Sequence, residues 1–288
     1  MESDGLHEFQ THRPRLFALA YRMLGSAREA EDAVREAGLR WSAGRAGVRS
    51  AEVWLTATVA NLCRARLVSA QAHRADYAGA WLPEPVPTAG GVLGPLESVE
   101  EREQVSLALL TVLERLEPAE RAILVLREGF GYAHREIADM LELAEAEVQR
   151  AYRRARARAR EGKGRLEFPG AEARARWERL LRAARAGAVE ELAGMLAADI
   201  AVTVDSGGRV GEPVAGGAAA ARFLVGLFRA EDGVEVGLEE VNGGLAAVGR
   251  QRGRPVLVLD IEAVNGVVGA VRVVLGRGKL AFLAGLTG

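Results

Sequence analysis

Two acids stand two residues apart in "VLVLDIEAV", Asp260 and Glu262. On a strand, side chains at i and i+2 share a face, and paired carboxylates can divide acid and base roles between them. Asp205, in "VDSGG", is a third carboxylate in this part of the chain, and Arg222 or Arg252 could act as electrophilic partners. No histidine follows His134, and no tyrosine, tryptophan or cysteine follows Trp177. Catalysis here would therefore rest on Asp205, Asp260 or Glu262. The plainer reading makes Asp205 a turn former and puts Asp260 and Glu262 on a solvent-facing strand edge. His7, His12, His73 and His134 show no spacing with Cys63 that would build a metal site. "GGVLGP" and "VDSGG" lack the strand–loop–helix context and the lysine of a phosphate loop. No metal or cofactor is expected.

A second chemistry is electrostatic. "AEAEVQRAYRRARARAR" carries six arginines between Arg150 and Arg160. Arginines on a helix can neutralise phosphates and release counterions, or they can form a solvated face. Six in eleven residues cannot share one helical face. Glu145 and Glu147 precede them and suit a helix N-terminus, but they repel a phosphate backbone. Net charge is +3 over residues 1–75, −7 over 76–120 and +4 over 121–165. Two basic segments separated by an acidic, proline-containing one suggest two modules and a linker.

The elements that must position these residues follow from periodicity. In "LHEFQTHRPRLFALAYRML" Leu6, Phe9, Leu16, Phe17, Ala20 and Leu24 mark one helical face, and Gly25 stops it. "SARE" at Ser26–Glu29 is a capping box for a second helix running to Trp41. Ser50 caps a third through Trp54, Leu55, Val59, Leu62 and Leu67, on which Cys63 reads as a buried structural thiol. "YAGAWLPEPVPTAGGVLGP" holds four of nine prolines and reads as a linker. Pro118 begins a further helix, and "GFGY" separates it from "AHREIADML". That helix and the arginine-rich one form a helix-turn-helix outline. Beyond 170, helices at 170–186 and 188–197 precede alternating β-branched runs divided by "SGG", "NGG" and "NG" turns. A helix at 215–230 and a terminal one in "RGKLAFLAGL" complete an α+β domain with helices on one face of a mostly antiparallel sheet. An apolar pocket is expected behind Phe223, Leu224 and Val258.

The stretches "HRPRLFALAYRMLGSAREAEDAVREAGLRW", "YAGAWLPEP" and "LERLEPAERAILVLREGFGYAHREIADML" resemble regions two and four of the extracytoplasmic-function sigma factors. "DSGGRVGEPVAGGAAAARFLVGL", "VNG" and "GKLAFL" resemble the SnoaL-like extension of one subgroup. The resemblance implies a multidomain chain: two all-α sigma modules, the second a helix-turn-helix, and a cone-shaped α+β SnoaL-like domain. Its segments are 1–76 (region two), 77–95 (linker), 96–164 (region four) and 165–288 (SnoaL-like).

The resemblance further implies core RNA polymerase and promoter DNA as partners. Asp32 and Glu36 would meet polymerase. Arg64, Arg66, Arg74, Gln149, Arg150, Arg153 and Arg154 would meet DNA. Asp205, Gly207, Gly208, Trp81 and Pro83 would form contacts between the sheet domain and the linker. The sequence departs from the family at Ala144 (no side-chain cap), Glu142 (commonly Gly), Arg35 (for Gln), Gly38 (for a large apolar residue) and near Ala65 and Val68. With Glu145, Glu147 and Gly38, these departures predict weakened promoter reading. Trp54 could stack a base or join the core.

Three functions stay open: a sigma factor regulated by its fused domain, a repurposed sigma-like protein whose SnoaL-like pocket binds or transforms a small molecule, and an interaction protein that binds polymerase without reading DNA. No run reaches the eighteen apolar residues of a membrane span, and "MESDGLHEFQ" has no secretory pattern. The expected location is cytoplasmic, to which the single cysteine adds a reducing compartment.

Overall fold

The first helix, α1 (Glu2–Leu24), stops where Gly25 adopts φ 66° and donates to the Tyr21 carbonyl at 2.8 Å. A left-handed residue costs glycine nothing and satisfies an orphan helix carbonyl. Helix α2 (Ala27–Ala43) starts at once, its Glu29 amide donating to the Ser26 hydroxyl at 3.2 Å, and α3 (Ala51–Arg74) follows behind Ser50. The computed structural model describes residues 2–44, 47–74, 77, 79–91, 93, 98–161, 170–208, 214–230, 233–264 and 266–285. The chain divides into two compact units. The first comprises Met1–Asp76, Ala89–Val105 and Leu109–Lys163; the second comprises Tyr77–Thr88, Ser106–Ala108 and Gly164–Gly288.

In the first unit α1 packs on α2 and α3 around Leu16, Phe17, Tyr21, Leu24, Val34, Trp41, Leu55, Val59 and Cys63, all buried. Burial pushes the Cys63 thiol up to about 12, so it is an inert packing group. Leu6, expected on the apolar face of α1, is 57% exposed; its neighbour Gly5 is buried instead, its carbonyl accepting from Trp41 Nε1 at 3.0 Å. Gly38 has a packing reason: a Cβ there would meet Phe9 Cζ at 2.8 Å. The phenyl ring lies against the α2 backbone where other side chains would hold it off.

Short helices α4 (Val99–Glu103) and α5 (Leu107–Leu113) lead to α6 (Pro118–Leu124), with Pro118 in its first turn, and a π-helical turn at Val125–Gly129. Then come α7 (His134–Leu141) and α8 (Glu145–Glu161). Between them Glu142 takes φ 55°, ψ 47°, the left-handed position that a glycine would hold without strain. Both α6 and α7 pack on α3, which makes the two helical segments one unit.

The second unit contains α9 (Ala171–Ala186), α10 (Val189–Ala193) and α11 (Gly217–Ala230), with strands β1 (Leu196–Asp205), β2 (Val214–Ala215), β3 (Glu235–Val241), β4 (Gly244–Gln251), β5 (Arg254–Val264) and β6 (Val267–Val274), and ends in α12 (Ala281–Gly285). The six-stranded sheet has the order β2-β1-β6-β5-β4-β3, with β1 and β6 parallel and the other pairs antiparallel. Alternation along the strands sorts two cores. One face holds Leu257, Leu259, Ile261, Val271 and Val273 with Trp177, Leu180, Leu192 and Leu224. The other holds Val248, Val258 and Val274 with Leu82, Leu280 and Leu283.

Three expectations are corrected here. The pocket behind Phe223, Leu224 and Val258 does not form from those residues, because Leu224 and Phe223 belong to the first core and Val258 to the second. A period of two puts Val258 opposite Leu257 and Leu259. The second predicted helix of this domain ends at Ala193, and Leu196–Ala197 open β1 instead, released by Gly194. The third begins at Gly217, after Val214–Ala215 pair with β1.

Candidate functional site

Asp205 ends β1 and is fully buried. Its Oδ1 accepts from the Tyr77 hydroxyl at 2.6 Å and the Gly207 amide at 3.0 Å; its Oδ2 accepts from the Leu82 amide at 2.8 Å and Lys279 Nζ at 2.5 Å. Lys279 also donates to the Leu82 carbonyl, and its ammonium lies 3.9 Å from the Trp81 ring centroid and 5.4 Å from that of Tyr77. Every lone-pair site of the carboxylate is thus engaged by residues 77–82, by its own turn or by Lys279. Burial by itself would raise the Asp205 pKa, but the bonds from Lys279, Tyr77 and the Leu82 amide outweigh it and hold the group below the usual carboxylate range. Burial and the bond to Asp205 push the Tyr77 phenol up.

The glycines after Asp205 let its turn come close to its neighbours. Gly207 adopts φ 76° and lies against Gly276, whose own Cβ would meet Gly207 Cα at 3.2 Å; Gly208 (φ 88°) lies beside the Tyr77 ring. A second anchor lies four residues past Leu82. Asn242, at φ 52° and buried, exchanges two bonds with Val86: its amide donates to the Val86 carbonyl and its Oδ1 accepts from the Val86 amide, both at 2.9 Å. The Thr88 amide donates to the Glu240 carbonyl, and the Gly243 amide to the Thr88 hydroxyl, each at 2.9 Å. Pro87 bridges to Val241. The "WLPEPVPT" segment therefore runs along the sheet unit, with Leu82, Pro83, Pro85 and Val86 buried. Among the expected contact residues, Asp205, Gly207, Gly208 and Trp81 come together here. Lys279 and Asn242 were missed in that role. The "NGG" turn signal located Asn242 without revealing what its side chain binds.

The paired acids have a different setting from either sequence expectation. Asp260 and Glu262 lie on β5, an inner strand, and face Arg272 of β6, the register partner of Asp260. Arg272 Nη1 donates to Asp260 Oδ2 at 3.1 Å, and Nη2 donates to Glu262 Oε2. Side chains of the three are 14%, 7% and 9% exposed for Asp260, Glu262 and Arg272. Burial raises the Asp260 pKa against the pull of Arg272, and the nearby Glu262 adds to the rise. The solvent-facing edge is thus corrected to a buried triad. The cation that serves the acids is Arg272; Arg222 and Arg252 are exposed. The sequence did not indicate Arg272, because a register shift between Glu262 and Ala263 decides which β6 residue lies opposite Asp260.

In the helical unit most expected contact residues have internal partners. Arg64 donates to the Leu141 carbonyl at 3.0 Å and Asn61 to the Met140 carbonyl at 2.8 Å, so α3 caps the C-terminus of α7. Arg66 donates to the Glu29 carbonyl at 3.1 Å and to Glu36 at 3.0 Å. The side chain of Arg74 lies outside the described residues. Glu36 also pairs with Arg40 at 2.7 Å, and Asp32 with Arg35 at 2.9 Å. Trp54 is half-buried, with its ring 5.4 Å from that of Trp41.

The arginine-rich helix α8 divides its charges. Arg154 and Arg158 bind the two oxygens of the buried Glu120 at 2.7 and 2.8 Å, and Gln149 donates to Glu145 at 3.2 Å. Arg150 and Arg153 are exposed and have no ion-pair partner among the described residues. Among those residues, no three His, Cys, Asp or Glu side chains gather as a metal site requires, and no helix is long and apolar enough to cross a membrane.

Comparison with known proteins agrees with this geometry. Residues 9–73 match the family model for sigma-70 region 2, and residues 106–158 match that for sigma-70 region 4. The chain is 34% identical over 226 residues to the ECF RNA polymerase sigma factor SigJ of Mycobacterium tuberculosis, covering 77% of this chain and 72% of that one. It is 31% identical over 202 residues to a probable ECF RNA polymerase sigma factor, SigI, of the same species, covering 69% of each. The crystal structure of M. tuberculosis SigJ superimposes with a TM-score of 0.74 and 29% identity, over 96% of this chain and 98% of that one. With two sigma regions joined to an α+β SnoaL-like unit, this chain belongs to the extracytoplasmic-function sigma factors of RNA polymerase.

Proposed function

We propose that the SnoaL-like unit is a built-in regulator that restrains the sigma regions by holding the linker between them. The observation that carries this reading is the Asp205 carboxylate, which binds Tyr77, the Leu82 amide and Lys279 at once. The region-two module (1–76) would engage core polymerase through Asp32 and Glu36 and the melted strand through Arg64, Arg66 and Arg74. The region-four module (96–164) would approach promoter DNA with Gln149, Arg150 and Arg153, and with Arg154 once it leaves Glu120. The linker (77–95) would join them, and the sheet domain (165–288) would set the length of linker free to span between them.

Two features support a restrained state. Arg64 and Arg66 are engaged with α7, Glu29 and Glu36, so strand binding must first displace those bonds. The contacts of Asp205 tie up a segment joining the two regions. A regulator is favoured over an enzyme because Asp260 and Glu262 are both spent on Arg272, and Asp205 is spent on the linker. The protein would act in the cytoplasm, where its polymerase is. Run-off transcription by holoenzyme carrying Asp205→Asn, compared with wild type, tests the reading: released linker should raise output, and unchanged output from a folded variant would refute it.

A further inference from the structure

At the far end of the sheet from the triad, the β4–β5 hairpin and α12 enclose a cleft of about 1110 Å³. Its floor is apolar, with Val256, Leu280 and Ala284 among the lining residues, and its rim carries Arg252, Arg254 and Arg277. The hairpin turn is built to present two of these: Arg252 (φ 52°) and Gly253 (φ 77°) both take the left-handed conformation of a tight two-residue turn. All three arginines are exposed, and among the described residues none has an acidic partner and no acid lines the cleft. Nearby Arg250 makes the contrast, since Glu239 neutralises it through bonds of 3.0 and 2.9 Å. Unpaired guanidiniums held around an apolar floor repel one another and attract anions. A fork of donors suits a carboxylate or phosphate head, and the concave floor suits the apolar body attached to it.

We propose that this cleft binds a small amphipathic organic anion, with the head on Arg252, Arg254 and Arg277 and the apolar body along Val256, Leu280 and Ala284. Leu280 belongs to the same core as Leu82, so the cleft adjoins the held segment. The assignment does not depend on the regulatory reading of that segment, and a binding measurement tests it separately.

The experiment is calorimetric titration of the full chain with sodium decanoate and with decyl phosphate, each below its micellar range. Decyltrimethylammonium and a short duplex DNA serve as comparison probes. Saturable one-to-one binding of either anion is expected, weakened about tenfold or more in Arg252→Glu/Arg254→Glu and in the separate variant Arg277→Glu. Two variants on different elements keep the test clear of a folding defect in either one. Binding of neither anion overturns the proposal, as does equal binding of the cation or affinity unchanged in both variants. Duplex DNA that binds through the same arginines more tightly than either amphiphile would reassign the cleft to phosphate backbone and overturn it as well.

Discussion

Asp205 and Lys279, 74 residues apart in sequence, meet at 2.5 Å, and the backbone of Leu82 is bound by both, its amide by Asp205 and its carbonyl by Lys279. One charge pair therefore grips both backbone polar groups of a single residue. Asp205 is fully buried and the Lys279 side chain is 13% exposed, so the pair is shielded from water and salt. Trp81 covers the ammonium from above. A buried pair contributes little net stability when intact, but removing one partner strands the other charge. That asymmetry makes the contact sensitive to any change at either residue.

Asp205→Asn should destabilise the sheet unit by about 3 kcal/mol and free the Leu82 amide. Hydrogen exchange at Leu82 should accelerate markedly, while Val86, held by Asn242 through two bonds of 2.9 Å, keeps more of its protection. Equal protection at Leu82 in variant and wild type would contradict the contact's importance.

Acid should weaken the same contact. The folded Asp205 pKa is depressed, so its contribution is full above the unfolded carboxylate value of about 3.9 and is lost as pH falls through the lower folded value. The gap in unfolding midpoint between wild type and Asp205→Asn should therefore be constant near pH 6 and close as pH falls below about 4. A gap that widens on acidification would reverse the sign of the argument. Taking the difference between the two proteins cancels the opposite contribution of Asp260, whose pKa is raised.

On α8 the arginines should separate into two kinds. Arg150→Ala and Arg153→Ala should leave stability unchanged and each lower the salt slope of duplex DNA binding by about one unit. Arg154→Ala should instead destabilise the helical unit, because the buried Glu120 loses one of its two guanidinium partners. Fluorescence anisotropy over a salt series, with thermal melts beside it, separates the two. Slopes in all three variants equal to that of wild type would make the whole helix a solvated face.

Glu147 is exposed in the first turn of α8. Glu147→Ala removes a charge that faces an approaching backbone and should tighten DNA binding about twofold to fivefold. The helix dipole loses a favourable partner at the same time, so a small fall in stability should accompany the gain. No change in affinity at low salt would place Glu147 away from the DNA.

Most of the architecture was legible because local signals agreed with one another. Ser26 caps, Gly25 stops, Pro118 starts a helix, and the β-branched runs alternate as the strands require. Glu142 was legible as a turn residue only through the family resemblance, since no propensity predicts a glutamate in the left-handed region. The partners of long side chains were not legible. Arg154 and Arg150 are chemically identical in sequence, and only the packing of α6 against α8 turns one towards Glu120. Lys279 reaches Asp205 because a parallel pairing of β1 with β6 brings the ends of both strands together, a contact between residues far apart in the chain. The pocket predicted from Leu224 and Val258 failed because periodicity assigns faces within a strand but does not say which face a distant helix will cover.

The most direct test is the affinity of the full chain for core RNA polymerase, measured for wild type, Asp205→Asn and Lys279→Met at one salt concentration. If the sheet unit restrains the sigma regions through the linker, releasing either side of the pair removes a coupling term worth about tenfold in affinity. Both variants should then bind core more tightly than wild type by a similar factor. Affinity that is unchanged or weaker in both variants, with the helical unit still folded by circular dichroism, would contradict the account.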